Sequence, residues 1–414
     1  MRLTFHRLIF WLHLIAGILA GVVILSMAVT GLLIAYETQL MEWANRDLRV
    51  TPPTVDAERL DIETLVARVR ETKPDLNPSG ITLKADPAAP VTLTMGREGV
   101  FFANPYTGAF LGEGNHAWHD FFHAATDWHR FLTGTGLPRE VGKAITGAGV
   151  LIFGLLLVSG IYLWWPRHWR LPNLKAAMLF NRQLKGRARD WNWHNVIGFW
   201  SAFPMLLIIL TGVIMSYGWA NNLLFTITGN VPPPPREKPA GAPGGTRTEG
   251  GRGGVAAGVS AQSGGGVAAG VSTPSGGPGR PAGPPPSFAG LEPLLAQTQQ
   301  QIPDWRSLSL RTPIKPGNPF PVMVDRGGRG EVHRRTMLNL DPAQGKVLPS
   351  PDDITQQNLG RRLRMYSRFL HTGELFGLIG QTVAALCALA AALLVWTGFA
   401  LAWRRFIGRK SSAS

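Results

Sequence analysis

Residues 11–31, WLHLIAGILAGVVILSMAVTG, and residues 192–212, NWHNVIGFWSAFPMLLIILTG, repeat one pattern. Each is an apolar run that begins near a histidine, His13 or His194, and ends in Thr-Gly, with the histidine 17 residues before the threonine in both. As a helix, each run sets its histidine about 26 Å from its Thr-Gly, so that each histidine lies near one face of a bilayer. An ionisable side chain is costly to insert there, and a matched pair predicts a functional site. For either histidine alone, the alternative is an interfacial side chain hydrogen-bonded to a lipid headgroup or a carbonyl.

Apolar runs that can span a membrane occur four times, since about 20 residues cross the hydrocarbon core. They cover approximately Leu8 to Tyr36, Ala144 to Trp165, Val196 to Tyr217 and Leu375 to Trp403. The chain is therefore predicted to be an α-helical membrane protein, a four-span bundle in a lipid bilayer. The first run is longer than a signal-peptide core and no small-x-small cleavage site follows it cleanly, so we interpret it as a retained anchor.

Basic residues are concentrated in residues 1–8, 166–193 and 404–414, which together hold 13 Lys and Arg and one acid, Asp190. By the positive-inside rule these segments are cytoplasmic, and both termini lie on that side. The two long loops are then periplasmic or extracellular. Most of the formal charge of +15 is thus explained by the basic cytoplasmic segments. The charge is therefore poor evidence for nucleic-acid binding, and no nucleic-acid partner is predicted.

Both long loops carry the same order of elements. DIETLVARVRETK (61–73) in the first loop and LEPLLAQTQQQ (291–301) in the second are helix signals, and each is followed by three alternating strand signals. Both loops finish on a hairpin signature, Asn104 to Gly108 and Asp341 to Gly345. Each half is predicted to be a span out, a small α+β domain and a span back, which makes the chain two repeats.

The returning spans support the repeat, because each contains two glycines 18 residues apart: Gly142 and Gly160, Gly380 and Gly398. The predicted units are a first span 1–36, a first periplasmic domain with its approach helix 37–140, a second span 141–165, a basic loop 166–193, a third span 194–217, a second periplasmic domain 218–374, a fourth span 375–403 and a tail 404–414. Residues 231–287, rich in Pro, Gly, Ala and Ser, are predicted to be a disordered insertion in the second domain. Cys387 is the only cysteine, which excludes an intrachain disulfide and a Cys-x-x-Cys-His site for covalent haem.

Two further histidines precede the returning spans, His129 in DWHRFLTG and His371 in RFLHTGELFG. For each alone, a solvated interfacial histidine is the simpler interpretation, because both lie outside the apolar run. Pseudo-twofold symmetry in a four-span bundle would nevertheless set His13 opposite His194 near the inner face and His129 opposite His371 near the outer face. Two bis-imidazole sites stacked across a membrane suit two non-covalent b-type haems, and with both axial positions filled the chemistry is electron transfer.

Several motifs resemble the PepSY-associated transmembrane family, and the two loops resemble PepSY-type domains. These motifs are WHRFLTG (128–134), VSGIYLWWPRHW (158–169), RDWNWHNVIGFW (189–200), LTGVIMSY (210–217) and LHTGELFGLIGQ (370–381). The resemblance covers nearly the whole chain apart from 231–287. It implies a bacterial inner-membrane dihaem siderophore (ferric) reductase, in which the axial haem ligands are His13, His129, His194 and His371. Asn104 stands where the family's turn usually has Asp.

Residues and resemblance together predict an oxidoreductase that transfers electrons across the membrane through two haems to ferric iron in a siderophore or another ferric chelate. No dinucleotide fingerprint is visible, so the electron donor is expected to be separate, a membrane quinol or a cytoplasmic flavin reductase. Four arginines precede His371 and are predicted to meet lipid phosphates, with an anionic chelate as the alternative. These are Arg361, Arg362, Arg364 and Arg368.

Three other hypotheses remain open on the sequence. The first is a non-enzymatic membrane protein whose PepSY-like domains bind or regulate a peptidase, and the second is a dihaem subunit that delivers electrons to another periplasmic oxidoreductase. The third is a metal site at His116, His119 and His123, whose spacing sets them on one side of a helix. That cluster has no thiolate and few carboxylates nearby, which favours a solvated approach to the membrane instead.

Overall fold

The computed structural model describes residues 5–54, 56–95, 99–165, 175, 177–233, 288–312 and 318–406. The α-helices in these ranges are α1 (Phe5–Ile34), α2 (Glu37–Ala44), α3 (Ile62–Thr72), α4 (His116–Phe131), α5 (Arg139–Trp164), α6 (Gly186–Ser216), α7 (Gly218–Ile227), α8 (Leu291–Gln301), α9 (Leu359–Thr372) and α10 (Gly377–Phe406). The strands are β1 (Gly80–Lys84), β2 (Val91–Thr94), β3 (Val100–Ala103), β4 (Phe110–Gly112), β5 (Ser307–Arg311), β6 (Phe320–Asp325), β7 (Arg335–Asp341) and β8 (Lys346–Pro349). The predicted insertion lies outside the described residues from position 234 onward.

Among the described residues, the helices α1, α5, α6 and α10 are long and apolar enough to cross a membrane. α1 packs against α5 and α10, and α6 packs against the same two, so that α1 and α6 are diagonal partners in a four-helix bundle. Small and apolar side chains of all four helices fill its middle: Ala28, Leu157, Met205, Ile209 and Ala391. The four predicted spans are thus present as membrane-length helices.

The helix α6 begins at Gly186, well before the apolar run that starts at Val196. This polar first part is stabilised by an ion-pair cluster. Asp190 is buried, and its carboxylate oxygens lie 2.8 Å from Arg189 and 3.2 Å from Arg404 at the end of α10. Hydropathy therefore locates the part of α6 that crosses the membrane but not the start of the helix.

The strands of both loops form one antiparallel sheet, in the order β4-β3-β2-β1-β5-β6-β7-β8. At its centre β1 pairs with β5, in a register that sets Ile81 opposite Leu310 and Leu83 opposite Leu308. The sequence predicts a helix-plus-sheet unit for each loop, and here the structure differs, because the two sets of strands are continuous. Pairing β1 with β5 removes two sheet edges that would otherwise expose unpaired N–H and C=O groups.

The helices α3 and α8 share one apolar core with the sheet. The stripe predicted for α3 is buried: Ile62, Leu65, Val66 and Val69. It lies in the same core as Leu291, Leu294 and Leu295 of α8. Asp61 begins α3 by accepting a hydrogen bond from the Thr64 amide at 2.8 Å, and this bond lowers the pKa of the Asp61 carboxyl.

The two predicted hairpin turns form in the same way on the two sides of the sheet. In the β3–β4 turn, Asn104 Oδ1 accepts hydrogen bonds from the amides of Tyr106 (2.9 Å) and Thr107 (3.3 Å). In the β7–β8 turn, Asp341 Oδ1 accepts hydrogen bonds from the amides of Ala343 (3.0 Å) and Gln344 (3.1 Å). Asn104 therefore serves the turn as an aspartate would, since only the side-chain oxygen is used.

The sheet lies at the end of the bundle where α1 and α6 finish and α5 and α10 begin. Gln39 in α2 donates a hydrogen bond to Gln381 in α10 at 2.7 Å, and Arg329 lies 3.4 Å from Glu374 just ahead of α10. We call this end of the bundle the sheet end, and the end with the first residues of α1 and α6 the far end.

Candidate dihistidine sites

The structure brings the four histidines together in two pairs. At the far end His13 of α1 faces His194 of α6 across the bundle, with ring centres 6.4 Å apart. At the sheet end His129 of α4 faces His371 of α9, with ring centres 6.5 Å apart. We call these the far pair and the sheet-side pair. In both, the two rings come from different halves of the chain, which is the pairing that the sequence predicts.

The rings of the far pair are held by the returning helices. His13 Nδ1 lies 2.8 Å from Ser159 Oγ in α5 and is also hydrogen-bonded to the Leu156 carbonyl. His194 Nδ1 lies 2.9 Å from Thr397 Oγ1 in α10 and is also hydrogen-bonded to the Leu394 carbonyl.

The rings of the sheet-side pair are held in the same manner by the outgoing helices. His129 Nδ1 lies 2.9 Å from the Met27 carbonyl oxygen and 3.1 Å from Thr30 Oγ1 in α1. His371 Nδ1 lies 2.9 Å from the Ile208 carbonyl oxygen and 3.2 Å from Thr211 Oγ1 in α6. Each histidine is thus fixed by its own half of the chain, although it faces a histidine of the other half.

These contacts decide which nitrogen of each ring carries the proton. A carbonyl oxygen only accepts, so each Nδ1 must be the N–H donor. Each hydroxyl also donates its own hydrogen to the carbonyl four residues earlier in its helix, as Thr30 does to Ser26 (2.8 Å) and Thr397 to Leu393 (2.7 Å), and therefore accepts from the imidazole. The Nε2 atoms are left with their lone pairs, which is the state in which imidazole binds a metal.

A glycine follows each of the four hydroxyl residues and gives the ring its space. A Cβ added at Gly31 would lie 3.4 Å from His129 Cε1, and one added at Gly212 would lie 3.3 Å from His371 Cε1. At Gly160 and Gly398 it would lie 3.4 and 3.7 Å from the Cε1 atoms of the far pair. Each of these Ser-Gly or Thr-Gly dipeptides therefore has two roles. Its hydroxyl accepts the hydrogen bond from the ring Nδ1, and its glycine leaves space for the Cε1 edge of the same ring.

The ring separations fit one metal ion between each pair. A metal–imidazole bond of about 2.0 Å, with about 1.1 Å more from nitrogen to ring centre, would set the centres of two rings that share one metal ion about 6.2 Å apart. The observed separations of 6.4 and 6.5 Å agree with this value. At the sheet end, burial and then the neighbouring His371 lower the pKa of His129 to about 4, and burial lowers the pKa of His371. Both rings are therefore neutral near pH 7, which is the state in which imidazole can bind a metal.

The third histidine cluster of the sequence does not form a comparable site. His116 Nε2 lies 2.8 Å from Glu113, and His119 Nδ1 lies 3.2 Å from Asp120, both at the surface of α4. His119 and His123 stack with ring centres 6.4 Å apart. Within the ranges that the structure describes, no group of three or more His, Cys, Asp or Glu side chains is arranged to hold a metal ion.

The family model of the PepSY-associated TM region matches residues 10–405. The chain belongs to this family. A search of curated proteins finds no match. The match to the PepSY-associated TM region includes all four histidines and, apart from a few terminal residues, the four membrane-length helices, so the protein is a membrane protein of this family.

Reasoning from the sequence found the four histidines but missed what holds them. Thr30-Gly31 and Thr211-Gly212 stood out as the ends of two repeated spans, and the glycines of the returning spans stood out by their spacing. Neither observation links them to a particular ring, because His13 and Ser159 are 146 residues apart. The usable signal is that each of the four spans carries a Ser-Gly or Thr-Gly, although the second span carries two, Thr146-Gly147 and Ser159-Gly160, and only the latter contacts a histidine of the pairs.

Proposed function

We propose that this protein is a haem-dependent membrane oxidoreductase that carries electrons through two b-type haems to ferric iron in a siderophore or another ferric chelate. The observation that supports it most is the pair of dihistidine sites, each with two half-buried imidazoles at a separation that suits one iron. In this proposal His13 and His194 hold one haem, and His129 and His371 hold the other. The membrane is the inner membrane of a bacterium, with the far end cytoplasmic and the sheet end periplasmic.

A haem held by two of these histidines would supply reversible one-electron chemistry. The chain itself holds each ring in place, because every Nδ1 contacts a hydroxyl and a carbonyl of a neighbouring helix. The middle of the bundle between the two pairs is packed with apolar side chains such as Met205 and Ile209, an environment in which an ion or an unpaired polar group is costly.

The acceptor is proposed to be reduced at the sheet end, close to His129 and His371. Each iron(III) takes one electron and becomes iron(II), which hard oxygen donors bind more weakly, so the chelate releases it. The electron comes from a donor outside this chain, a membrane quinol or a flavin reductase on the cytoplasmic side. The sheet covers the sheet end of the bundle and is the part of the chain best placed to contact a chelate.

The first test is the visible spectrum of the detergent-purified protein, reduced minus oxidised, with haem quantified per chain. We expect about two b-type haems with sharp low-spin bands, as bis-histidine ligation gives. Proteoliposomes with a reductant inside and ferric citrate outside are then expected to release iron(II). A protein that stays colourless after expression with ample haem would contradict the proposal and favour a PepSY protein that binds a peptidase. Two haems without chelate reduction would favour the electron-delivery subunit.

The hydroxyl groups beside the far pair provide a separate prediction. Ser159→Ala and Thr397→Val each remove one acceptor of a ring Nδ1 and leave the carbonyl in place. We expect haem affinity at the far pair to fall about tenfold in each, because partners of metal ligands typically contribute that much. The measurement is haem titration of the apoprotein, followed by absorbance.

The matched control is Thr382→Val in the same helix as Thr397. The Thr382 hydroxyl bonds to the Leu378 carbonyl and to Tyr36, and to neither ring of the far pair. Its haem titration should coincide with that of the unaltered protein. A Ser159→Ala, Thr397→Val double variant that also coincides would show that the hydroxyls do not position the rings.

A further inference from the structure

The chain between α5 and α6 returns to the bundle, where side chains of both helices hold it. The backbone carbonyls of residues 177, 178 and 179 accept hydrogen bonds from Trp164 Nε1 (3.2 Å), Trp200 Nε1 (2.9 Å) and Asn192 Nδ2 (3.1 Å), in that order. Asn192 is buried, and its Oδ1 also accepts a hydrogen bond from the amide of Asn181 at 3.0 Å. Residues 177–181, which we call the α5–α6 segment, are therefore fixed against the far end of the bundle.

The α5–α6 segment lies beside the apolar part of α6. That part begins at Val196, and Trp200 lies about one turn further into it. Trp200 is 61% exposed, so its ring is on the outer surface of the bundle, and its hydrogen bond brings Met178 to the same surface. The outer surface of a membrane-spanning helix contacts lipid, and tryptophan is enriched where the hydrocarbon meets the headgroups. The segment therefore runs along the boundary of the bilayer and not away from it.

Two apolar side chains of the segment are exposed at this boundary. Leu179 is 55% exposed and Phe180 is 54% exposed. The Phe180 ring lies edge-on to the exposed ring of Trp193, with ring centres 6.2 Å apart. Exposure of such side chains to water is unfavourable, whereas acyl chains can cover them at this depth. Leu179 and Phe180, which we call the apolar tip, therefore suit contact with lipid.

Basic side chains flank the apolar tip in the sequence. Residues 166–189 contain no Asp or Glu. The first acid after them, Asp190, is buried and already paired, since it lies 2.8 Å from Arg189 and 3.2 Å from Arg404. Four further basic side chains near the segment are exposed, and we call them the tip cations: Lys175, Arg182, Lys185 and Arg187. Positive charge next to an apolar tip matches a phospholipid, whose phosphate lies just outside its acyl chains.

We propose that the α5–α6 segment and the tip cations bind anionic phospholipid in the leaflet at the far end of the bundle. The apolar tip inserts among the acyl chains, and the tip cations bind headgroup phosphates. An acidic soluble protein is the other class of partner that basic residues attract. The position of Met178 beside Trp200 favours lipid, because a soluble protein does not reach the apolar part of α6. The inference does not rest on haem, since none of these residues belongs to a dihistidine site.

The first test measures the depth of the apolar tip in lipid nanodiscs. A nitroxide spin label is attached to full-length C387A/F180C, with C387A/L155C and C387A/E71C as references. Leu155 is exposed on the membrane-length helix α5, and Glu71 is exposed in α3, beside the sheet. We expect the label at residue 180 to collide with oxygen, which concentrates in lipid, more often than with a water-soluble nickel chelate, as the label at residue 155 does. A label at residue 180 that behaves like the one at residue 71 would overturn the proposal and favour an acidic soluble partner.

The second test measures the preference for anionic headgroups. Thermal unfolding midpoints are measured in nanodiscs of phosphatidylcholine with and without phosphatidylglycerol, so that each protein is its own reference. K175Q/K185Q is compared with K73Q/K346Q, which removes the same charge from exposed lysines beside the sheet. Each basic residue near an anionic surface strengthens binding about fivefold.

Phosphatidylglycerol is therefore expected to raise the midpoint of K73Q/K346Q as much as that of the unaltered protein, and to raise that of K175Q/K185Q by about half as much or less. Equal rises in the two double variants, or no rise in any of the proteins, would overturn the binding of anionic headgroups by the tip cations. Neither test requires haem, so failure of the proposed function would leave both results interpretable.

Discussion

Replacing both histidines of one pair is expected to remove one haem and leave the other, whereas replacing two histidines of one half is expected to remove both. In the proposed arrangement the H13A/H194A protein should retain about one haem per chain, held by His129 and His371, because each pair of rings takes one histidine from each half. The H13A/H129A protein carries the same number of substitutions but damages both sites, and should retain almost none. The number of haems per chain, measured as the pyridine haemochrome, distinguishes the two variants directly.

The control for these variants is His123→Ala. His123 lies in α4 with His129 but stacks on His119 and belongs to neither pair. Its haem content should equal that of the unaltered protein. An H13A/H194A protein without haem, or an H13A/H129A protein with one, would show that the ligands pair within each half and not across the bundle.

Adding one methyl group at Gly142 or Gly380 is expected to disrupt the sheet-side pair while the far pair survives. A Cβ at Gly142 would overlap the Phe131 carbonyl oxygen, and a Cβ at Gly380 would overlap the Gly373 carbonyl oxygen. Phe131 and Gly373 each lie two residues after a histidine of the sheet-side pair. These contacts involve backbone atoms, which cannot turn aside as side chains do, so the end of α4 or α9 must move.

We expect G142A and G380A to lower the midpoint of thermal unfolding by about 5 °C or more and to lose one of the two haems. Gly154→Ala is the matched control, since a Cβ there meets only a methyl group of Ile209, at 3.4 Å, in the middle of the bundle. The control should keep two haems and a nearly unchanged midpoint. If G142A and G380A behave as the control does, the close approach of these helices does not position the histidines.

The sequence predicts much of the architecture because its patterns are local. Hydropathy reveals the four spans, alternation reveals the strands, and Asn104 and Asp341 reveal the two turns. The pairing of His13 with His194 could also be predicted, although the two are 181 residues apart, because each lies the same distance before the Thr-Gly of its span. Features that depend on position along one helix or one strand are thus accessible from residues alone.

The remainder depends on contacts between distant segments. Nothing in the alternation of β1 or β5 specifies that Ile81 lies opposite Leu310, because any two strands of that pattern are compatible. From the sequence, Asp190 is predicted to lie in a loop. The structure places it in the first turns of α6, where it is buried beside Arg404. Similarly, four arginines before His371 look alike until the structure shows that Arg361 is exposed and that Nε of Arg364 is buried.

The helices α4 and α9 follow β4 and β8, the two edge strands of the sheet, yet they meet at one pair of rings. At about 4.8 Å per strand, the edges of an eight-stranded sheet are about 34 Å apart. Ring position is nevertheless fixed by carbonyls and hydroxyls of α1 and α6, and no strand takes part. The sheet therefore supplies none of the hydrogen bonds that hold the four imidazoles, and substitutions in its hairpins are expected to leave the positions of the rings unchanged.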